Sequence, residues 1–158
     1  ATTISGLGHL EGMTVDILRD GAPHPQAVVT GGAVTLQLPG SVVHVGFAAP
    51  CKWRSMRPEA GAQDGTAQGK TKRISKVVMR FLDTGGGKFG SNENALDYIQ
   101  FRTPADPMDQ PVPLYSGDKV LPWPAGYDTD AYMMYVNDQP TPVTLVAVMP
   151  QITTQDAR

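Results

Sequence analysis

The residues best suited to bind a metal ion lie in two short polar segments. His9 and Glu11 fall on the same side of an extended segment, and Asp20 and His24 follow a little later. No further histidine or cysteine completes a recognised ligand spacing, which favours a hydrogen-bonded turn. The Asp-Thr-Asp segment at 128–130 lacks the glycine and the distal glutamate of a helical calcium loop. We therefore expect no metal at either place.

Nucleophilic catalysis would rely on the single cysteine, Cys51. Lys52 and Arg54 follow it, and neighbouring positive charge favours the reactive thiolate. No pattern places a histidine beside Cys51, and the chain has neither a Gly-x-Ser-x-Gly motif nor a complete phosphate-binding loop. We therefore expect a protein that is not an enzyme and that needs no cofactor.

Three aromatic side chains are candidates for stacking against a sugar ring. They are Trp53, Trp123 and Tyr127, of which the last two belong to a segment with prolines and a glycine at 121–127. Aromatic residues in such segments also anchor loops to a hydrophobic core. Binding of a receptor or carbohydrate and anchoring of loops both remain possible interpretations.

Charge is unevenly distributed along the chain. Residues 52–80 contain eight basic and two acidic side chains, a formal charge of +6, whereas residues 83–138 contain nine acidic and three basic ones, a formal charge of −6. The two segments either neutralise each other within the fold or form opposite faces that meet between subunits. The candidate interface residues in the basic segment are Lys70, Lys72, Arg73, Lys76 and Arg80.

The composition limits the elements that can position these residues. The chain has 158 residues, of which 17 are glycine and 14 proline, and this frequency excludes a bundle of long helices. Hydrophobic residues make up 41% and the net charge is only −2, so the chain can bury a core. No apolar run approaches the roughly 20 residues of a membrane-spanning helix.

Alternating apolar residues predict β-strands along most of the chain. In the first third, strands are expected at 13–18, 26–30, 33–38 and 42–47, with a hairpin turn at the glycine pair 31–32 and with Pro23 and Pro25 preventing pairing beside Asp20-Gly21. A loop is expected at 60–69. Strand and helix compete at 70–82, and we favour strand. Further strands are expected at 96–102, 131–136 and 142–149, the last two as a terminal hairpin, whereas five prolines between 104 and 122 disfavour regular structure.

These patterns predict an all-β fold, an antiparallel sandwich or barrel-like arrangement with long loops rich in proline and glycine. Residues 1–50 are expected to form a small β-module. Residues 51–158 are expected to form a second β-rich module that shares one core with the first.

Several short blocks follow one another along the chain, at residues 8–15, 20–21, 29–32, 42–47, 65–74, 101–108, 115–119 and 126–130. The order of these blocks resembles tail proteins of short-tailed bacteriophages and prophages. The similarity covers nearly the whole chain and falls in the C-terminal part of tubular, nozzle or DNA-stabilisation proteins. These family members are much longer, so we expect the chain to be one domain of a longer polypeptide.

The resemblance implies a structural role in the virion. Subunits would form a ring in the tail, contact other tail or portal-adaptor proteins, and let DNA pass without sequence-specific binding. The protein would assemble in the bacterial cytoplasm and act in the virion, with no membrane partner. A receptor- or carbohydrate-binding module of a tail is the alternative.

Overall fold

The computed structural model describes residues 1–59, 65–108, 110–124 and 126–155. These residues form strands that pair in antiparallel fashion, together with one turn of 3-10 helix at Gly8–Leu10. The predicted all-β fold with antiparallel sheets is confirmed. Residues 60–64, part of the loop expected at 60–69, lie outside the described residues. No helix among the described residues has the length and apolar character needed to cross a membrane.

The strands are numbered in chain order. They are β1 (Thr3–Ser5), β2 (Thr14–Arg19), β3 (Ala22–Val28), β4 (Ala33–Thr35), β5 (Val43–Gly46), β6 (Cys51–Arg54), β7 (Thr71–Thr84), β8 (Lys88–Asn92), β9 (Ala95–Tyr98), β10 (Tyr115–Pro122), β11 (Tyr127–Asp128), β12 (Met134–Asn137) and β13 (Leu145–Gln155).

A first hydrophobic core lies in the first third of the chain. β2 is the centre of a three-stranded sheet, with β3 on one side and β5 on the other, close to the strands predicted at 13–18 and 42–47. Val15 and Ile17 are completely buried on one face of β2, as its alternating pattern requires. The buried residues of this core are Leu7, Val15, Ile17, Val29, Val34 and Leu36.

A tight turn at Asp20-Gly21 joins β2 to β3. Both residues adopt left-handed conformations, with φ of 47° and 84°, which aspartate and glycine tolerate better than other residues. Pro23 and Pro25 lie within β3, so the prediction that they prevent pairing beside this turn is wrong. β3 is an edge strand, and an edge tolerates residues that lack a backbone donor.

The glycine pair at 31–32 forms the predicted tight turn. Gly31 and Gly32 have φ of 63° and 68°, and Thr30 and Ala33 exchange two backbone hydrogen bonds across them. The longer hairpin predicted on either side is wrong, because this pairing stops at a single bridge. β4 pairs with β1 instead, so the beginning of the chain takes the place of the expected partner.

β7 organises the rest of the chain. The prediction of a strand at 70–82 is confirmed: Val77, Met79 and Phe81 are buried, while Lys76 and Arg80 between and beside them are exposed. β13 pairs along one side of β7, and β10 and β11 pair one after the other along the opposite side. We call these four strands the β7 sheet.

A second sheet, with strand order β6-β12-β8-β9, packs against the β7 sheet. We call it the β12 sheet. Tyr135 of β12 is completely buried between the sheets, with its ring centroid 5.6 Å from that of Phe81 in β7. The sandwich core consists of Ile74, Val77, Met79, Phe81, Phe89, Ile99, Phe101, Leu121, Trp123, Ala131, Met133 and Tyr135.

The terminal hairpin predicted from residues 131–149 is wrong. β12 and β13 lie in different sheets of the sandwich, and the segment between them crosses from one sheet to the other. All four residues of β12 are buried, and the strand pairs with β6 on one side and β8 on the other. A strand enclosed in this way has no free side for its neighbour in sequence.

The proline-rich stretch contains more regular structure than its composition predicts. Residues 99–114 form no strand among those described, but β10 follows directly and ends on Pro122. The strand predicted at 96–102 is shorter and ends at Tyr98. Arg102 donates from Nη1 to the carbonyl of Pro107 and from Nη2 to that of Gln110, at 3.0 and 2.9 Å, which ties the two ends of this part of the proline-rich loop together.

The two hydrophobic cores have no buried residue in common. The units around them approach each other where Gly21 of the β2–β3 turn lies beside Pro111 of the proline-rich loop. A cavity of about 210 Å³ at this place is lined from both units, by Ala22 and Pro23 on one side and by residues such as Val112 on the other. The division near residue 50 into two modules stays a prediction.

Candidate assembly surface

The pleat of β7 separates the five candidate interface residues. Arg73, Lys76 and Arg80 are exposed on the outer face of the β7 sheet, which points away from the sandwich core. Lys72 points inward and is completely buried. Lys70 precedes the strand and is half-buried. The structure therefore brings three of the five together on one surface.

Lys72 has a role inside the fold. Its Nζ donates a hydrogen bond to the carbonyl oxygen of Thr129 at 3.0 Å, which ties β7 to the turn after β11. The Glu59 carboxylate accepts hydrogen bonds from the Ala67 amide and the Thr66 hydroxyl, and these bonds, with a smaller contribution from the charge of Lys72, lower the pKa of Glu59. A buried, bonded lysine cannot contact a partner protein.

Arg80 forms the best-defined ion pair of the outer face. Its Nε and Nη2 donate to the two carboxylate oxygens of Asp118 at 2.7 and 2.9 Å, a two-point contact between β7 and β10. The hydrogen bonds from Arg80, together with its charge, lower the pKa of Asp118. Pairing of the basic segment with the acidic one within the chain thus accounts for Arg80.

Two further basic residues pair with the acidic segment. The Nζ atom of Lys52 lies 3.3 Å from the Glu93 carboxylate, and the Nε atom of Arg57 lies 2.7 Å from the Asp130 carboxylate. Internal neutralisation therefore explains part of the charge pattern. Arg73 and Lys76 form no ion pair with another described residue, although the Arg73 guanidinium lies 5.7 Å from the centre of the exposed Tyr127 ring.

Apolar side chains cross the middle of the same outer face. Val120 in β10, Val78 in β7 and Met149 in β13 lie directly opposite one another in register. Val120 is 62% exposed and Met149 40% exposed. In the next row, Asp118 and Arg80 form their ion pair. We call the surface made of Arg73, Lys76, Val78, Arg80, Asp118, Val120 and Met149 the β7 face.

The β7 face combines an apolar centre with a charged border. An apolar centre is bordered by charged residues on both sides, and charges at a rim steer association and fix orientation. Sequence reasoning found the basic border but missed the apolar row, because its three members come from strands far apart in the chain. Their alignment depends on the register of β10 and β13 with β7.

The three aromatic candidates do not form one site. Trp123 is buried in the sandwich core, where its ring centroid lies 5.7 Å from that of Phe89. Trp53 is half-buried at the opposite side of the sandwich, on β6, and packs against the same core. Only Tyr127 is exposed, beside Arg73 on the outer surface. In this structure Trp123 anchors its loop to the core, and Trp53 packs the edge strand β6 against the same core.

A polar groove that sequence reasoning missed lies on the outer side of the β12 sheet. It has a volume of about 600 Å³ and is lined from β6, from the β8–β9 turn and from the segment between β11 and β12. The Arg54 guanidinium lies 3.9 Å from the centre of the Tyr132 ring, and Lys52 pairs with Glu93 across from them. Asp130 at the edge of this groove pairs with Arg57, which is not part of the lining.

Glu11 and Asp128, two of the residues considered as metal ligands, bond to the backbone of turns. Both carboxylate oxygens of Glu11 accept hydrogen bonds from the glycine turn, from the Gly31 and Gly32 amides at 2.8 and 2.6 Å. Asp128 accepts from the amides of Asp130 and Ala131. Within the described ranges no three histidine, cysteine or acidic side chains are grouped to hold a metal ion. Cys51 is an exposed free thiol on β6.

Comparison with known proteins leaves these structural features as the basis for a functional argument. No protein-family model matches the chain. No curated protein matches it either.

Proposed function

We propose that the chain is a structural domain of a bacteriophage tail component, of the tubular, nozzle or DNA-stabilisation type. It acts through contacts with other tail or portal-adaptor proteins and with copies of itself, in a virion through which DNA passes. The observation that carries the proposal is the β7 face, with an apolar row across three strands and, at one end, Arg73 and Lys76, which form no ion pair with another described residue. The ordered sequence blocks supply the assignment to a phage tail.

The extent of the surface supports a role in assembly. The chain exposes 9509 Å², whereas a compact monomer of this mass exposes about 7,700 Å². The excess of about 1,800 Å² is about twice the roughly 800 Å² that a standard protein interface buries on each partner.

A charge placed in the apolar row tests the proposal. Val120→Asp puts a carboxylate beside Asp118 at the centre of the β7 face, so we expect the protein to be lost from tail particles assembled in the host cell. Val120 is mostly exposed, and the fold should tolerate the change. Val28→Asp, at a 55% exposed valine of the first unit, is the matched control.

Electron microscopy and the protein content of purified particles are the measurements. Normal incorporation of both variants would show that the β7 face is not an assembly surface. Loss of both variants alike would also contradict it, because the effect would then not depend on the position of the charge.

A further inference from the structure

The positive charge at one end of the β7 face is not compensated by its surroundings. Arg73 and Lys76 are exposed there and form no ion pair with another described residue. Their neighbours in register on the adjacent strands are all uncharged, with Thr153 and Tyr127 beside Arg73, and Gln151 and Pro122 beside Lys76. The contact between Arg73 and the Tyr127 ring does not neutralise the guanidinium, because the ring carries no charge.

The opposite end of the β7 face is neutral. Arg80 is paired there with Asp118 through two hydrogen bonds, at 2.7 and 2.9 Å. The apolar row of Val78, Val120 and Met149 separates this pair from Arg73 and Lys76. The face is therefore polarised, with a positive end, an apolar centre and a neutral polar end.

From this arrangement we propose that the β7 face binds an acidic segment of another protein. Carboxylates of the segment lie against Arg73 and Lys76, and its neighbouring aliphatic side chains cover the apolar row. The guanidinium of Arg73 can hold a carboxylate at two points, whereas Lys76 supplies a single positive charge. The proposal rests on the proposed function, in which the β7 face is the assembly surface, and adds the chemistry of the partner.

A nucleic acid fits the β7 face less well. Its binding depends on several basic side chains that neutralise phosphates along the backbone. The β7 face offers two unpaired cations, followed by an apolar row that phosphates do not match. The net charge of −2 on the whole chain also repels a polyanion.

A second copy of the β7 face also fits less well. Two such faces meet about a two-fold axis, and an axis through the apolar row places the Arg80–Asp118 pair of one copy over the basic end of the other. That pair is already neutral. It therefore adds no charge that would compensate Arg73 and Lys76.

Binding of a synthetic peptide to the intact chain tests the proposal. The probe is a short peptide with blocked ends, whose alternate residues are two glutamates and then two valines, with serines between them. We expect it to shift the amide NMR signals of residues 73–80, and to bind more weakly as salt rises from about 50 to about 500 mM. The same peptide with lysine in place of glutamate should not bind.

Matched variants locate the charges that matter. Arg73→Gln with Lys76→Gln should weaken binding of the acidic peptide about fivefold or more. Both side chains are exposed, so circular dichroism should show an unchanged fold. Lys52→Gln with Arg54→Gln, at exposed residues of β6 on the other sheet, should leave binding unchanged.

Several results of this experiment would overturn the proposal. They are equal binding of the lysine peptide, undiminished binding by the Arg73→Gln and Lys76→Gln variant, and no binding of the acidic peptide at all. Tighter binding of a single-stranded DNA oligonucleotide would assign the basic end to nucleic acid. Self-association that this double variant abolishes would assign it to a second copy.

The particle assay separates a failure of this proposal from a failure of the proposed function. Arg73→Glu with Lys76→Glu should be lost from tail particles, as Val120→Asp should be. If only Val120→Asp is lost, the β7 face is an assembly surface whose partner is not acidic. Normal incorporation of both would refute the proposed function and the acidic partner together.

Discussion

At the scale of single residues, Gly87 and Tyr135 fix the contact between the two sheets. Tyr135 donates a hydrogen bond from its hydroxyl to the carbonyl of Gly86, and burial raises the pKa of this phenol. A Cβ atom on Gly87 would overlap the Tyr135 ring and hydroxyl, and its φ of 151° is one that side chains disfavour. The absence of a side chain at residue 87 is therefore a packing requirement.

Gly87→Ala should destabilise the sandwich by about 3 kcal/mol, from overpacking and backbone strain together. Gly126→Ala is the control, because a Cβ atom there meets nothing within 4 Å. Thermal unfolding followed by circular dichroism measures both variants. Equal stability of the two would contradict this account of Gly87.

Asp20 gives the first unit a dependence on pH. Its carboxylate accepts hydrogen bonds from the amides of Val42, at 2.7 Å, and Ser41, at 3.0 Å, and these bonds lower the pKa of Asp20. A carboxyl group with a lowered pKa in the folded state stabilises the fold above the pKa of the unfolded state. This contribution is lost as the pH falls through the folded value.

We therefore expect Asp20→Asn to reduce stability at neutral pH. The difference from the parent protein should shrink below about pH 4, where the unfolded carboxyl group binds its proton, and then vanish. Urea unfolding across this pH range is the measurement. Asp97→Asn, at an exposed carboxylate of the sandwich, is the control variant measured in the same way. A difference that persists in acid would point to lost contacts other than charge.

At the scale of elements, edge strands differ in how they are protected. β3 carries Pro23 and Pro25, β6 carries Lys52 and Arg54, and β13 carries no charge. Proline removes a backbone donor, and charge makes pairing with another edge costly. The prolines that seemed to forbid a strand next to Asp20 instead keep an existing strand from pairing further.

Replacing both prolines by threonine should turn β3 into a site of self-association. Threonine restores the backbone donors and favours extended structure. Sedimentation of the double variant should show oligomers whose proportion rises with protein concentration. The sedimentation of the parent protein should not change with concentration. The control Ala27→Thr adds threonine to the same strand but restores no donor. An entirely monomeric double variant would mean that β3 is protected by something other than its prolines.

Local patterns predicted the elements better than their partners. The alternation in β7 and the turns at residues 20–21 and 31–32 follow from short-range preferences, so they were predictable. The pairing of β4 with β1 and the separation of β12 from β13 depend on which strand covers which face of a core. Lys72 shows the same limit within one strand, because the sequence of a basic segment does not distinguish a buried lysine from the exposed basic residues near it.

At the scale of the whole molecule, two cores without a shared residue predict two unfolding events. Ile17→Ala removes a buried side chain from the first core, and Val77→Ala removes one from the second. Each substitution should cost about 2–4 kcal/mol in its own unit. Scanning calorimetry should resolve two transitions. Ile17→Ala should lower the midpoint temperature for the first unit, and Val77→Ala should lower that for the sandwich. One transition that both substitutions lower equally would mean that the units unfold together.

The separation of the cores also determines which part of the protein intrinsic fluorescence can follow. Residues 1–50 contain no tryptophan or tyrosine, whereas Trp53, Trp123 and all five tyrosines follow them. Intrinsic fluorescence of tryptophan and tyrosine therefore follows the sandwich and does not report on the first unit. Thermal unfolding followed by fluorescence would show no change when the first unit alone had unfolded. Trp53 lines a groove of about 510 Å³ between β6 and β13, so its fluorescence also reports on changes in that groove.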